Sequence, residues 1–299
     1  MRCGLCMRIC PEQVFNISDR RGRMVIHQHR CRICGQCIGI CPVGSIQHSG
    51  FSDGMFQVVT DYKIDPDIVY RFLSNYQSIR SYCREIPSRA LMEQIVEIAG
   101  FAPENPHRRI DDGKVVRIVY GYQKMAKLTA LLIGYYRHLI HDASNSSTHT
   151  LSIIKGKLHP LKKILPDITM RLDEFDKGVD LFSYHAPMAV FVYASANLIS
   201  APANCHAAGL YIQLYASAYG IGSCWSRLMQ MAVSNEFLID YSGLHEFLKI
   251  PQGMNCYSAF TAGYPLIRPS RVPKRKTSIG WIADCSAPVL SPSDSVAGQ

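Results

Sequence analysis

Cys31, Cys34, Cys37 and Cys41 stand at offsets 0, 3, 6 and 10 in the stretch CRICGQCIGICP, and Pro42 follows at once. A turn carrying thiolates three residues apart can aim three sulfurs at one iron–sulfur cube, while the fourth, just ahead of a proline, is directed toward a neighbouring cluster. Gly35 and Gly39 lie inside the wrap, where backbone without Cβ can approach inorganic sulfide. Thirty-one residues earlier, the opening CGLCMRICP repeats the pattern, with Cys3, Cys6, Cys10 and Pro11 matching Cys34, Cys37, Cys41 and Pro42.

In the crossed ligation of two-cluster ferredoxins, Cys31, Cys34 and Cys37 would share a [4Fe–4S] cube with Cys10, and Cys3, Cys6 and Cys41 would hold the second cluster. A zinc knuckle would use paired Cys-x-x-Cys units, rarely this denser run ending in Cys-Pro. A disulfide framework does not suit a chain that shows no secretory signal. The counterpart of Cys31 in the first copy would fall one residue before Met1. The expectation is an assigned start placed too far downstream; the alternative is a [3Fe–4S] centre, or a cube with a labile non-cysteine ligand, on Cys3, Cys6 and Cys41.

These motifs must be carried by a protein of 299 residues, 47% hydrophobic, long enough for a small domain and a large one. Residues 1–50 are expected to be the cluster domain, 51–65 a linker, 66–283 the larger domain and 284–299 a flexible tail. The most apolar stretches, Leu128 to Ile140 and Pro187 to Ala196, are too short or too interrupted for a transmembrane helix, so no membrane is expected. Seven of the twelve cysteines belong to the two motifs, and clusters are kept in reducing compartments, which makes the cytoplasm the expected address. The net charge of +9 does not argue for nucleic acid. A thiolate-ligated cube carries about −2 when oxidised, and the basic residues are scattered without the interleaved aromatics of a single-strand binding face.

Along the chain, Arg20 to Arg23 reads as a turn, Met24 to Ile26 as a short strand, and Phe56 to Val59 as having strand character. Asp65-Pro66 opens a helix to about Asn75, and Ser88 caps another with Leu91, Ile95 and Ile98 on one face. A strand over Lys114 to Tyr120 precedes a helix over Gln123 to His141 and a loop over Asp142 to Thr150. The basic stretch to Arg171 has no regular pattern. Pro187 to Ala194 is a buried strand, Ala203 to Tyr219 a helix, the residues from Trp225 to Met231 a further helix, and Tyr257 to Tyr264 a strand. Helices alternating with a few strands predict an α+β fold.

The order of features over about Tyr76 to Trp281 resembles the nitroreductase family of FMN enzymes, in the branch with an amino-terminal two-cluster ferredoxin domain. The residues that carry the resemblance are Ser78-Ile79-Arg80-Ser81-Tyr82, Ala102-Pro103, Lys177-Gly178-Val179-Asp180 leading to Ala186-Pro187, GIGSCW from Gly220 to Trp225, IPQG from Ile250 to Gly253, and AGYP from Ala262 to Pro265. The resemblance implies that Ser78 and Arg80, with Arg275 from the tail, donate to a flavin phosphate, and that Gly222 and Ser223 present N–H groups to the flavin's reactive edge. Gly220-Ile221-Gly222 follows a helix and is no dinucleotide fingerprint. The chain departs from the family at Tyr76, where the first phosphate-binding arginine usually stands. It departs again in Glu104 to Arg109, where His107 replaces the asparagine that contacts the ring and Asn105 could substitute. Cys83, Cys205, Cys224, Cys256 and Cys285 lack ligand spacing and read as packing residues.

The expected function is an oxidoreductase in which two iron–sulfur clusters exchange electrons with FMN and a nitroaromatic, quinone or similar acceptor is reduced. No side-chain acid or base is expected to act. The donor would be a ferredoxin or NAD(P)H, and the resemblance implies a homodimer with FMN at the interface. The competing expectation is an electron-transfer or redox-sensing protein whose larger domain serves dimerisation and docking without flavin turnover.

Overall fold

The computed structural model describes residues 3–17, 23–59, 63–104, 113–145, 158–234, 236, 239 and 241–282. Contacts divide the chain into two units, Met1–Arg268 and Pro269–Gln299. The described part of the second unit is without helix or strand.

The first unit begins with two short helices, α1 (Leu5–Ile9) and α2 (Gln36–Gly39), and an antiparallel ribbon of β1 (Phe15–Ile17) with β2 (Met24–Ile26). No strand forms at Phe56 to Val59, contrary to expectation. Val58 and Val59 are 88% and 94% exposed, so β-branched residues there have no neighbouring face to pack on. Helix α3 (Pro66–Asn75) starts where Asp65 accepts the Asp67 N–H, with proline at its first position. Helix α4 (Arg89–Glu97) starts where Ser88 accepts the Leu91 N–H, and it buries Met92 and Ile95, with Leu91 and Ile98 partly covered.

The larger part of the unit is built on a four-stranded antiparallel sheet of β3 (Val115–Tyr120), β4 (Met188–Ser195), β5 (Gly222–Trp225) and β6 (Met254–Gly263), in the order β3-β4-β6-β5. Strand β4 is the two-sided centre. Ala189, Phe191 and Tyr193 face one core, and Met188, Val190, Val192 and Ala194 face the other, as the two-residue period requires. Near Val192 and Tyr193 the register with β6 slips, so the strand's side-chain parity reverses: Cys256 and Ala259 share one core while Phe260 and Ala262 share the other.

Helix α7 (Ala201–Ala218) lies on one face, burying Ala201, Cys205, Ala208, Ile212 and Ala216 at helical spacing. Helices α5 (Tyr122–Asn145), α6 (Leu158–Asp176), α8 (Arg227–Val233) and α9 (Gly243–Leu248) cover the other. Helix α6 occupies the stretch that showed no regular pattern in sequence. Pro160 falls in its first turn, and past Pro166 the helix continues because Ile168 and Leu172 are buried in the core, with Ile164 and Phe175 packed against it. The expected helix from Trp225 is shorter at its start. Gly222 to Trp225 are strand, and Ser226 caps α8 by accepting the Met229 N–H. Arg20 to Gly22 and residues 146–150 lie outside the described residues.

Candidate functional site

The two cysteine motifs fold as two copies of one local structure. Gly4 (φ 71°) precedes α1 and Gly35 (φ 72°) precedes α2, a left-handed conformation that glycine adopts without steric cost. Cys6 and Cys37 then occupy equivalent places in the two helices. Each helix is followed by a cysteine whose sulfur accepts an N–H four residues on: Val14 to Cys10 Sγ at 3.3 Å, and Ser45 to Cys41 Sγ at 3.3 Å. Ile33 N–H donates to Cys31 Sγ at 3.4 Å.

All seven cysteines, Cys3, Cys6, Cys10, Cys31, Cys34, Cys37 and Cys41, line one cavity of about 890 Å³, and all are free thiols. The Cys37 thiol is pushed up by burial and then by the negative charge of Cys34, Cys31 and Cys10, the other three members of the crossed set. Cys41 is drawn down to about 7, chiefly by the Ser45 hydroxyl and by backbone N–H donors. Among the described residues no three His, Cys, Asp or Glu side chains stand close enough to hold a single metal ion. Seven thiols around one large cavity, with N–H donors on three sulfurs, fit thiolate-ligated clusters.

The second constellation surrounds the edge strand β5. Ser78 forms a parallel bridge with Ser223, and the Ile79 N–H donates to the Ser223 carbonyl at 2.9 Å. Gly222 is required here by packing: a Cβ would lie 2.6 Å from Ile79 Cγ1 and 2.9 Å from Pro265 Cγ. Ser223 is 1% exposed. Its hydroxyl meets the Tyr76 hydroxyl at 3.0 Å, and Tyr76 also donates to Gln213 Oε1 at 2.9 Å. The phenol standing where an arginine was expected thus closes a neutral network and brings no charge.

Charge enters from the neighbouring side. Burial pushes the Cys224 thiol up, and the charge of Arg80 with the polar side chains of Ser78 and Arg80 draws it back. The Arg80 guanidinium sits 5.9 Å from the centroid of the Tyr184 ring. Tyr184 (φ 55°) and His185 (φ 48°) are consecutive left-handed residues, a costly arrangement for side chains with a Cβ. Asp180, 6% exposed, holds them there: it accepts the N–H groups of Phe182 and Ser183 at 2.9 Å and of His185 at 3.0 Å, and the Ser183 hydroxyl. Arg171 on α6 donates to the Leu181 carbonyl at 2.6 Å and to Asp167 at 2.9 Å.

The structure therefore brings Ser78, Arg80, Gly222 and Ser223 together. Arg275 is exposed in the second unit, and Asn105 and His107 lie outside the described residues. Tyr184, Asp180 and Arg171 were not among the expected site residues. Asp180 closes the Lys177-Gly178-Val179-Asp180 motif, and Arg171 lies on helix α6, in a stretch without regular sequence pattern. Cys205, Cys224 and Cys256 are buried as expected, with Cys205 pushed up to about 12 by burial.

Residues 1–45 match the 4Fe-4S dicluster domain, and residues 74–264 match the nitroreductase family. A solved nitroreductase with bound FMN from Bacteroides fragilis is similar at 18% identity, over 72% of this chain and 97% of that one, with a TM-score of 0.51. A nitroreductase with bound FMN from Desulfitobacterium hafniense gives 18% identity, the same coverages and a TM-score of 0.49. Among curated proteins no relative matches.

Proposed function

We propose that this chain, which belongs to the nitroreductase family, moves electrons between its iron–sulfur clusters and FMN and reduces a nitroaromatic, a quinone or a similar small acceptor. The observation that carries the reading is the presence in one chain of a seven-thiol cavity and a nitroreductase domain with an arginine free to bind an anion. Among the described residues Arg80 makes no ion pair with a carboxylate; the centroid of the Tyr184 ring lies 5.9 Å from its guanidinium, and its charge draws the Cys224 thiol down. When bound, a cube passes one electron at a time and a flavin holds one or two, so the pair couples single-electron supply to two-electron reduction.

Ser78 and Arg80 would hold the flavin phosphate, with Arg275 as a further cation and Asn105, Gly222 and Ser223 nearer the ring. The thiols of Cys10, Cys31, Cys34 and Cys37 would hold one cluster and those of Cys3, Cys6 and Cys41 would serve the other. Backbone N–H groups on the sulfurs lower the cost of added negative charge there. Reduced ferredoxin or NAD(P)H would be the donor, and a homodimer the working form. Protein purified without oxygen tests this reading. Iron and sulfide together with stoichiometric FMN are expected; clusters that remain flavin-free even after FMN is supplied would overturn it.

A further inference from the structure

We infer that Phe51 and Phe56, in the segment expected to be a linker, form an aromatic cap over the cluster of Cys10, Cys31, Cys34 and Cys37, where they hold water away and keep its reduction potential low. The inference rests on the cluster reading above and is independent of FMN. A difference between two glycines carries it. Gly4 (φ 71°) and Gly35 (φ 72°) hold equivalent places in the two motifs, each one residue after a cysteine. A Cβ on Gly35 would meet the Phe51 ring at 3.2 Å and the Phe56 ring at 3.4 Å. A Cβ on Gly4 would meet nothing within 4 Å among the described residues. The two rings therefore lie directly on the backbone of the second wrap, at a position where only glycine lets them come so close.

The cap is held in layers. Phe51 and His48 line the same cavity as the seven cysteines. The His48 ring stands 5.9 Å from that of Phe51, edge to face, and Phe56 packs on the outer side of Phe51 with ring centroids 5.4 Å apart. Local bonds fix the path of the chain: the Gly50 N–H donates to His48 Nδ1 at 2.9 Å, the Phe51 N–H to the His48 carbonyl at 3.0 Å, and the Met55 N–H to the Ser52 carbonyl at 3.0 Å. The second wrap needs cover from outside its own motif. Helix α1 buries Cys6, whereas α2 buries none of its residues and Cys34 beside Gly35 is exposed. An apolar shell around a cluster limits solvent access, and solvent stabilises the more negative, reduced state, so a dry cluster has the lower potential. With these contacts the cluster domain extends to Phe56.

Phe51→Ala removes the inner ring, Phe51→Leu keeps an apolar side chain in its place, and Phe56→Ala removes the outer ring. In full-length protein with its clusters assembled without oxygen, an EPR-monitored titration reads both midpoint potentials, and absorbance follows the bleaching of the clusters by ferricyanide. Phe51→Ala is expected to raise the potential of one cluster and to speed its bleaching by about threefold or more, with Phe51→Leu close to the unaltered protein and Phe56→Ala between the two. Ser45→Ala, which removes a hydroxyl 3.3 Å from Cys41 Sγ, marks the other cluster. Unchanged potentials and bleaching, equal changes in both clusters, or a change in the cluster that Ser45→Ala marks would overturn the inference. Unaltered protein that holds no iron and sulfide would instead overturn the cluster reading. Iron content and the thermal midpoint of each variant separate a lost cap from a lost fold. Should Phe51→Ala fail to assemble its clusters, Phe56→Ala decides by the same criteria, since its ring is already 36% exposed and its loss disturbs the fold least.

Discussion

Arg80 is proposed to hold the flavin phosphate, and its guanidinium lies 5.9 Å from the centroid of the Tyr184 ring. Replacing it should cost on the order of 1.5 to 3 kcal/mol of FMN affinity, since hydrogen bonds between charged groups are the stronger kind. Arg80→Ala should leave iron and sulfide content unchanged, and an FMN dissociation constant equal to that of the unaltered protein would put the phosphate elsewhere. Asp180 acts at the same place through backbone. Its carboxylate accepts three N–H groups and one hydroxyl in a buried loop, so Asp180→Ala strands several donors at once and should destabilise the domain by about 3 kcal/mol. Denaturant unfolding checks this, and a loss under about 1 kcal/mol would mean water replaces the carboxylate there. Ser45 makes a third prediction. Its hydroxyl and N–H both meet Cys41 Sγ at 3.3 Å, and such bonds favour the more negative, reduced cluster. Ser45→Ala should lower the midpoint potential of one cluster and leave the other in place in an EPR-monitored titration; equal shifts in both would contradict the crossed ligand set.

Elements with strong local chemistry were legible, and those set by tertiary packing were not. The Asp65 and Ser88 caps stand where the sequence placed them, because a side-chain acceptor before a helix satisfies an otherwise orphan N–H. The apolar run from Met188 reads as a buried strand because both of its faces are covered. Strand β5 was missed: four residues opening on a glycine carry almost no periodic signal, and they are strand only because β6 and the segment at Ser78 flank them. The position of Ser78 and Arg80 therefore depends on how closely Ile79 approaches Gly222. Gly222→Ala would drive a methyl into Ile79 and Pro265, costing about 1 to 3 kcal/mol of stability and weakening FMN together. Adding Ile79→Ala should recover part of the FMN affinity by making room, and a double variant no better than Gly222→Ala would show that the Ile79 contact does not set the position of this segment.

At the scale of the whole molecule the net charge of +9 is best read with the cofactors in place. Two oxidised cubes at about −2 each and a flavin phosphate of about −2 offset about two thirds of it and leave a protein that is only mildly basic when loaded. Among the described residues no helix is long and apolar enough to cross a membrane. The cysteine spacing revealed the cluster domain because ligands to one metal–sulfur group must recur at fixed offsets. The constellation around β5 was legible only in pieces, since its residues come from places far apart in sequence, Ser78 and Arg80 before the sheet and Gly222 and Ser223 on its edge strand. Joining the two halves requires that electrons pass between them. In the anaerobic holoenzyme the clusters are reduced first, in substoichiometric amount, and cluster and flavin are followed together by rapid-mixing absorbance with freeze-quench EPR. Cluster-first transfer predicts that the clusters reoxidise at the rate at which the flavin is reduced, before any acceptor is added; flavin reduced only by nicotinamide, with the clusters keeping their electrons, would contradict it.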